Sequence, residues 1–313
     1  MNVVCAGFHA QNIVTDDKKE EGMPDSISDE SIQVEILDTL DRLSSDMFSR
    51  FGKLTQADWD APSRCDMWSV KDVGSHMAMV FAAYLNFIAR SIEGNAMPPE
   101  GLPDPGIADG RSYAERLASR AIEISENDLT TPKALIDRLS EVDARLLGSF
   151  RSLSDGQWDL PAYHPVNQIS PRGLLWWKLL ETSIHCWDAL NALDDSYGVD
   201  AKAAVLLRGV WKNAQMNRWF ITPDREQDDL ITLDIDLGET QGLRIINQGG
   251  TPEIIDRTED LSSANALISV DPSRFALLIT ARKSLETAIE EGIAAVSGDP
   301  RGVHWFNTWF QGA

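Results

Sequence analysis

Trp176-Trp177-Lys178-Leu179-Leu180-Glu181-Thr182-Ser183-Ile184-His185 sets a carboxylate and an imidazole four residues apart inside an apolar stretch. Residues at that spacing share one helix face. Ser170-Pro171 stands just upstream, an N-cap followed by proline at the first helical position. From there Leu174, Trp177, Glu181, His185 and Asp188 fall on one stripe. A bare carboxylate on such a stripe carries a large desolvation cost. Further upstream, Ser69-Val70-Lys71-Asp72-Val73-Gly74-Ser75-His76 begins a second predicted helix, with Ser69 and Asp72 in capping-box register. That helix runs to about Glu93 and carries Val73, His76, Met77, Val80, Tyr84 and Phe87 on one stripe.

Taken alone, a histidine on an apolar face is ordinarily a core residue with one hydrogen bond. A Glu-x-x-x-His pair is ordinarily a helix-surface contact worth about 0.2–0.5 kcal/mol. The inward position of all three groups shifts the reading towards a bound cation. His76, Glu181 and His185 make a three-ligand set with a fourth position open, the arrangement catalytic zinc uses. Zinc, nickel and iron all accept these donors, so another divalent metal remains compatible. Asp188, one turn beyond His185, is expected to orient a ligand through a hydrogen bond. The competing expectation for it is a helix-end salt bridge. His164 precedes the fourth helix, where it is placed to line a pocket, although a solvated loop residue is the expectation.

Outward from these two segments, Ile36, Leu40, Leu43, Met47 and Phe51 predict a first amphipathic helix. Helical spacing resumes at Tyr113, after a Pro/Gly-rich connection over 94–110, and is clearest at Leu135, Leu139, Val142, Leu146 and Phe150. Four such helices read as a bundle. Leu54–Pro62 and Leu153–Pro161 echo one another, each just before a helix that bears candidate ligands. Beyond about residue 225 the pattern changes. Ile231–Leu237 alternates apolar with polar, and 243–246, 253–255 and 266–270 are further strand candidates. Helices are predicted over 273–284 and from about Val303. The fold class is α+β, with a mobile tail over 1–27, a bundle over 28–200, and a linking helix with a small α+β domain over 201–313.

Composition bounds the function. The 313 residues are 43% hydrophobic and 25% charged, ordinary globular usage with room for two cores. A net charge of -21 argues against nucleic acid and anionic membranes as partners. Cys5, Cys65 and Cys186 are too few and scattered for a disulfide framework. No signal peptide or membrane-length run is evident, so a cytoplasmic location is expected.

Asp58-Trp59-Asp60-Ala61-Pro62-Ser63-Arg64-Cys65, continued by Trp68-Ser69-Val70-Lys71-Asp72-Val73-Gly74-Ser75-His76, resembles the metal-binding domain of the mycothiol-dependent maleylpyruvate isomerase family, within the DinB superfamily. Glu181, His185 and Asp188 match that family's Glu-x-x-x-His-x-x-Asp signature. Val296-Ser297-Gly298-Asp299 is similar to the ending of its sterol-carrier-protein-like C-terminal domain. The resemblance implies a DinB-like bundle with zinc on His76, Glu181 and His185, and mycothiol as thiol cosubstrate. The implied activity is isomerisation or S-transfer on a small electrophile. The family's second domain contributes basic residues to the pocket, for which Arg244, Arg274 and Arg282 are candidates. Arg282 and Asp188 are taken as the catalytic pair. The rival expectation is a non-catalytic metal-binding sensor or ligand-binding protein. The oligomeric state is left open.

Overall fold

A computed structural model describes residues 30–106, 110–225, 229–258 and 263–312, so the predicted tail over 1–27 lies outside the described residues. The helical region comprises α1 (Glu30–Phe51), α2 (Gln56–Trp59), α3 (Val70–Ile92), α4 (Gly110–Asn127), α5 (Pro132–Arg151) and α6 (Pro171–Leu190). Helices α1, α3, α5 and α6 form the expected four-helix bundle, and α4 packs against α3 as a fifth member. The spacing from Tyr113 to Phe150 therefore covers two helices. The chain breaks after Asn127, and Thr131 caps α5 by accepting a hydrogen bond from Ala134 N–H, with Pro132 at the first helical position. At Gly74 α3 runs so close to α5 that a Cβ would lie 2.9 Å from Leu135 Cδ2.

The central helix, α6, is not amphipathic as predicted. Seventeen of its twenty residues are buried, and the other three are Gly173, Glu181 and His185. A helix apolar all round sits inside a core, and here it meets open space at the predicted ligand pair. The echoed segments are also alike in structure. Trp59 and Trp158 are both buried. A lone bridge, Pro62 with Ser69 in one copy and Ala162 with Ile169 in the other, closes each loop at the start of the helix that follows, α3 or α6.

The predicted linking helix is broken into α7 (Ala201–Leu206), α8 (Arg208–Lys212) and a 3-10 turn, Asn217–Trp219. Gly209 lets α8 lie on Trp176 of α6, where a Cβ would come within 2.5 Å of the indole. The sheet region contains β1 (Ile231–Leu237), β2 (Thr240–Asn247), β3 (Glu253–Asp256), β4 (Ala266–Val270), α9 (Pro272–Ile279), α10 (Leu285–Glu290), β5 (Ala294–Gly298) and α11 (Gly302–Trp309). The order is β3-β2-β1-β4-β5, with β1 and β4 parallel and the other pairs antiparallel. Strand β5 and helix α10 escape prediction because each is short and lacks a clear period. Helix α9 ends at Ile279, five residues before its predicted end at Ser284, with Thr280 as its C-cap, and Ala281 then adopts φ 53°. That left-handed residue, uncommon for a non-glycine, turns the chain towards the bundle at Arg282. Helix α7 packs on α9, and one continuous core runs through both regions. Among the described residues, no helix is long and apolar enough to cross a membrane.

Candidate functional site

The cap predicted for α3 is present. Ser69 Oγ accepts from Asp72 N–H, and Asp72 Oδ2 accepts from Ser69 N–H at 2.8 Å. This fixes where α3 starts and aims His76, two turns in, at α6. His76 Nε2 lies 3.2 Å from Glu181 Oε2, and His185 Nε2 lies 3.1 Å from the same oxygen. Tyr84 Oη stands 3.4 Å from the other oxygen of that carboxylate. The two imidazole rings are 4.6 Å apart between centroids, and the Trp68 ring covers His76 at 5.0 Å. The sequence-predicted trio therefore converges on one point.

Asp188 is fully buried and contacts both His185 and Arg282. Its Oδ2 accepts from His185 Nδ1 at 2.9 Å. Its two oxygens also accept from Arg282 Nε at 3.1 Å and Nη2 at 2.9 Å. Arg282 thus ties the sheet region to α6. Arg244 is instead spent inside the sheet, buried in a bidentate pair with Asp234 on the neighbouring strand at 2.6 and 3.0 Å. Arg274 pairs with Asp271 on the surface. Neither lines the cleft, so Arg282 alone of the three reaches the site.

The electrostatics follow from burial and pairing. Burial pushes the Glu181 carboxyl up, yet hydrogen bonds from His185 and His76 outweigh it and hold the group below the usual carboxylate range. Burial disfavours the His76 imidazolium and lowers its pKa despite Glu181. Burial opposes charge on His185 too, but Asp188, Cys65 and Glu181 together hold that pKa well above the ordinary histidine value. Asp188 is lowered, because Arg282 and His185 outweigh its burial.

The donor set fits a divalent cation. One nitrogen from each histidine and one carboxylate oxygen lie within 4.8 Å of one another. Asp188 holds the Nδ1 proton of His185, leaving Nε2 as the ligating atom, and a cation arriving there displaces a proton. Cys65, His185 and Asp188 form a second close group. Arg282 already neutralises Asp188 there, which disfavours a cation.

The trio lies in a cleft of about 560 Å³ lined by both regions, with Arg64, Cys65 and Trp68 on one side and Thr280, Ala281 and Arg282 on the other. The fold agrees with one set of relatives. Residues 40–190 match the mycothiol maleylpyruvate isomerase N-terminal domain. The bundle belongs to this family. Two solved structures share the fold, mycothiol-dependent maleylpyruvate isomerase and a histidine-to-alanine variant of it. The variant superposes with TM-score 0.53 at 16% identity, over 80% of this chain and 90% of its own. The unsubstituted enzyme gives TM-score 0.51 at 16% identity, over 81% and 90%. No curated protein sequence matches the chain.

Two further residues border the site. His164 is buried and stacked on Trp177, with centroids 4.8 Å apart and planes 19° apart, not solvated as expected. Burial pushes its pKa down to about 4. Cys65 lies at the cleft, its Sγ 3.1 Å from Asp188 Oδ2. Its only signal was its place in the Trp59–His76 motif. Cys186, beside a ligand in sequence, is buried away from the cleft, and burial pushes its thiol up to about 12.

Proposed function

We propose that the chain is a metal-dependent enzyme using a low-molecular-weight thiol of the mycothiol type to isomerise, or to transfer sulfur to, a small electrophile. The observation that carries this reading is the convergence of His76 and His185 on one oxygen of Glu181, at the floor of a cleft that Arg282 reaches from the sheet region. Its family membership supports the same reading. His76, Glu181 and His185 would hold the metal, zinc being the first candidate for this ligand set. A divalent ion there supplies positive charge that stabilises a thiolate near neutral pH. The thiol supplies a sulfur whose addition to a cis-enoate frees the carbon–carbon bond to rotate, and whose departure leaves the trans product.

The chain's own residues supply the rest. Asp188 holds the His185 proton on Nδ1 and fixes the ring. Arg282 directs its Nε and Nη2 donors to Asp188 and Cys65 Sγ and one Nη1 donor to Thr280 O, which leaves one N–H of Nη1 for an anionic group of thiol or substrate. Trp68 and Trp177 shield the floor from bulk water, which strengthens every charge interaction there. The boundary near residue 200 belongs to the same proposal, with bundle and sheet domains sharing one pocket. An open cleft of this volume favours an enzyme over a closed, non-catalytic metal sensor.

The test is turnover. Zinc-loaded protein, mycothiol and a panel of cis-enoates and activated alkyl halides are followed by absorbance and mass spectrometry. Product that requires both metal and thiol, and is lost in His76→Ala, is expected. Zinc-loaded protein that converts nothing in the panel would favour the sensor.

A further inference from the structure

A second cavity, of about 550 Å³, shares Leu117, Trp177, Glu181 and Trp219 with the cleft, so two chambers meet at the candidate metal ligand. Its character differs from the first. Met79, Val80, Ala83 and Phe87 form one wall from a single face of α3. Leu102 and Pro103 form another, from the long connection between α3 and α4. That wall is held in place. Tyr163 Oη donates to Pro103 O at 2.7 Å, and Gly106 N–H donates to Pro165 O at 3.1 Å. The cavity is therefore built by the packing of the loop before α6 against the connection.

Polar groups are few and grouped at its two ends. Near Glu181 stand Tyr84 and His164. His164 Nδ1 accepts from Val166 N–H at 3.4 Å, which leaves the ring proton on Nε2 as a donor. At the solvent side the cavity is rimmed by Arg116 and Arg120, both exposed on α4, with Arg120 also paired with Glu123 one turn on. A polar, sugar-bearing thiol does not match apolar walls of this extent, and a small dicarboxylate would leave most of them against water.

We propose that this second cavity is the electrophile subsite and that the electrophile is an anionic amphiphile. Its apolar body lies against α3 and Leu102–Pro103, its reactive carbon points to Glu181, and its anionic group meets the Arg116–Arg120 rim. This deepens the thiol-dependent reading, on which it rests, by naming the substrate class. The thiol then occupies the cleft on the Arg282 side, and the two reactants meet across Trp177 without competing for space.

The experiment measures binding alone, in the zinc-loaded full chain without thiol, so its failure is distinct from a failure of turnover. Decanoate, butyrate and decyltrimethylammonium are titrated by calorimetry and by tryptophan fluorescence, since Trp177 and Trp219 line the cavity. Decanoate is expected to bind, and butyrate on the order of a thousandfold more weakly because six buried methylenes are missing. Decyltrimethylammonium is expected to bind at least about tenfold more weakly than decanoate, because its charge is wrong for the rim. Ala83→Trp fills the cavity from α3 and Leu102→Trp fills it from the connection. Each is expected to abolish decanoate binding while metal content stays unchanged. If Ala83→Trp fails to fold, Leu102→Trp still decides. Absence of decanoate binding, equal binding of butyrate or the cation, or binding retained in a folded filled variant would overturn the proposal.

Discussion

Replacing Asp188 with Asn keeps the shape of a fully buried side chain and removes one charge from the centre of the site. The carboxylate now accepts from Arg282 twice, from His185 Nδ1 at 2.9 Å and from Cys65 Sγ at 3.1 Å. Asparagine brings one acceptor oxygen and an amide that must face other donors. Breaking a buried ion pair by removing one partner costs about 3–5 kcal/mol. The Arg282 side chain retains 18% exposure, so the lower end, about 3 kcal/mol, applies. Metal affinity should fall separately, because loss of the group that orients a ligating imidazole costs about 10–100-fold. The sign with pH is defined as well. Asp188 is held below its ordinary value, so its contribution is present above about pH 4 and is lost as pH falls further. The assay is paired: zinc competition against a chromogenic chelator, and urea unfolding of metal-free protein at pH 7 and pH 3. Asp188→Asn should shift both, and should lose less stability than wild type on acidification. Zinc affinity within twofold of wild type would refute the role of Asp188 in orienting His185.

Two further outcomes follow from burial alone. His164 has its pKa pushed down to about 4, so the unfolded chain takes up a proton near pH 6.5 that the folded chain refuses. Stability should therefore fall between about pH 6.5 and 4 by on the order of 3 kcal/mol from this group. Urea midpoints of His164→Phe should lack that component, and an equal acid loss in both proteins would contradict it. Gly209→Ala puts a Cβ 2.5 Å from the Trp176 ring, so α8 must move off α6 at a cost of about 1–3 kcal/mol, read by thermal melting.

The convergence of His76, Glu181 and His185 was legible because each interrupts an apolar period, and period is a local property that sequence displays directly. The capping box at Ser69 and the proline at Pro171 located the two helices for the same reason. Strands β1 to β4 were visible through alternation and their flanking turns. What escaped depends on contacts distant in sequence. Arg244, Arg274 and Arg282 look alike as residues, and only the register of Asp234 opposite Arg244 and the turn at Ala281 separate them. His164 looked like a loop residue because burial against Trp177 is a tertiary fact. The split of the 113–150 stretch rested on Thr131-Pro132, a start signal masked by helical spacing on both sides.

The central claim is that one metal ion sits between α3 and α6. Crystals of the zinc-loaded protein, with diffraction recorded on both sides of the zinc absorption edge, test it most directly. A single anomalous peak is expected about 2.0–2.1 Å from His76 Nε2 and His185 Nε2 and about 2.0–2.2 Å from a Glu181 oxygen. A peak at Cys65, His185 and Asp188 instead, or none between the two helices, would contradict the account.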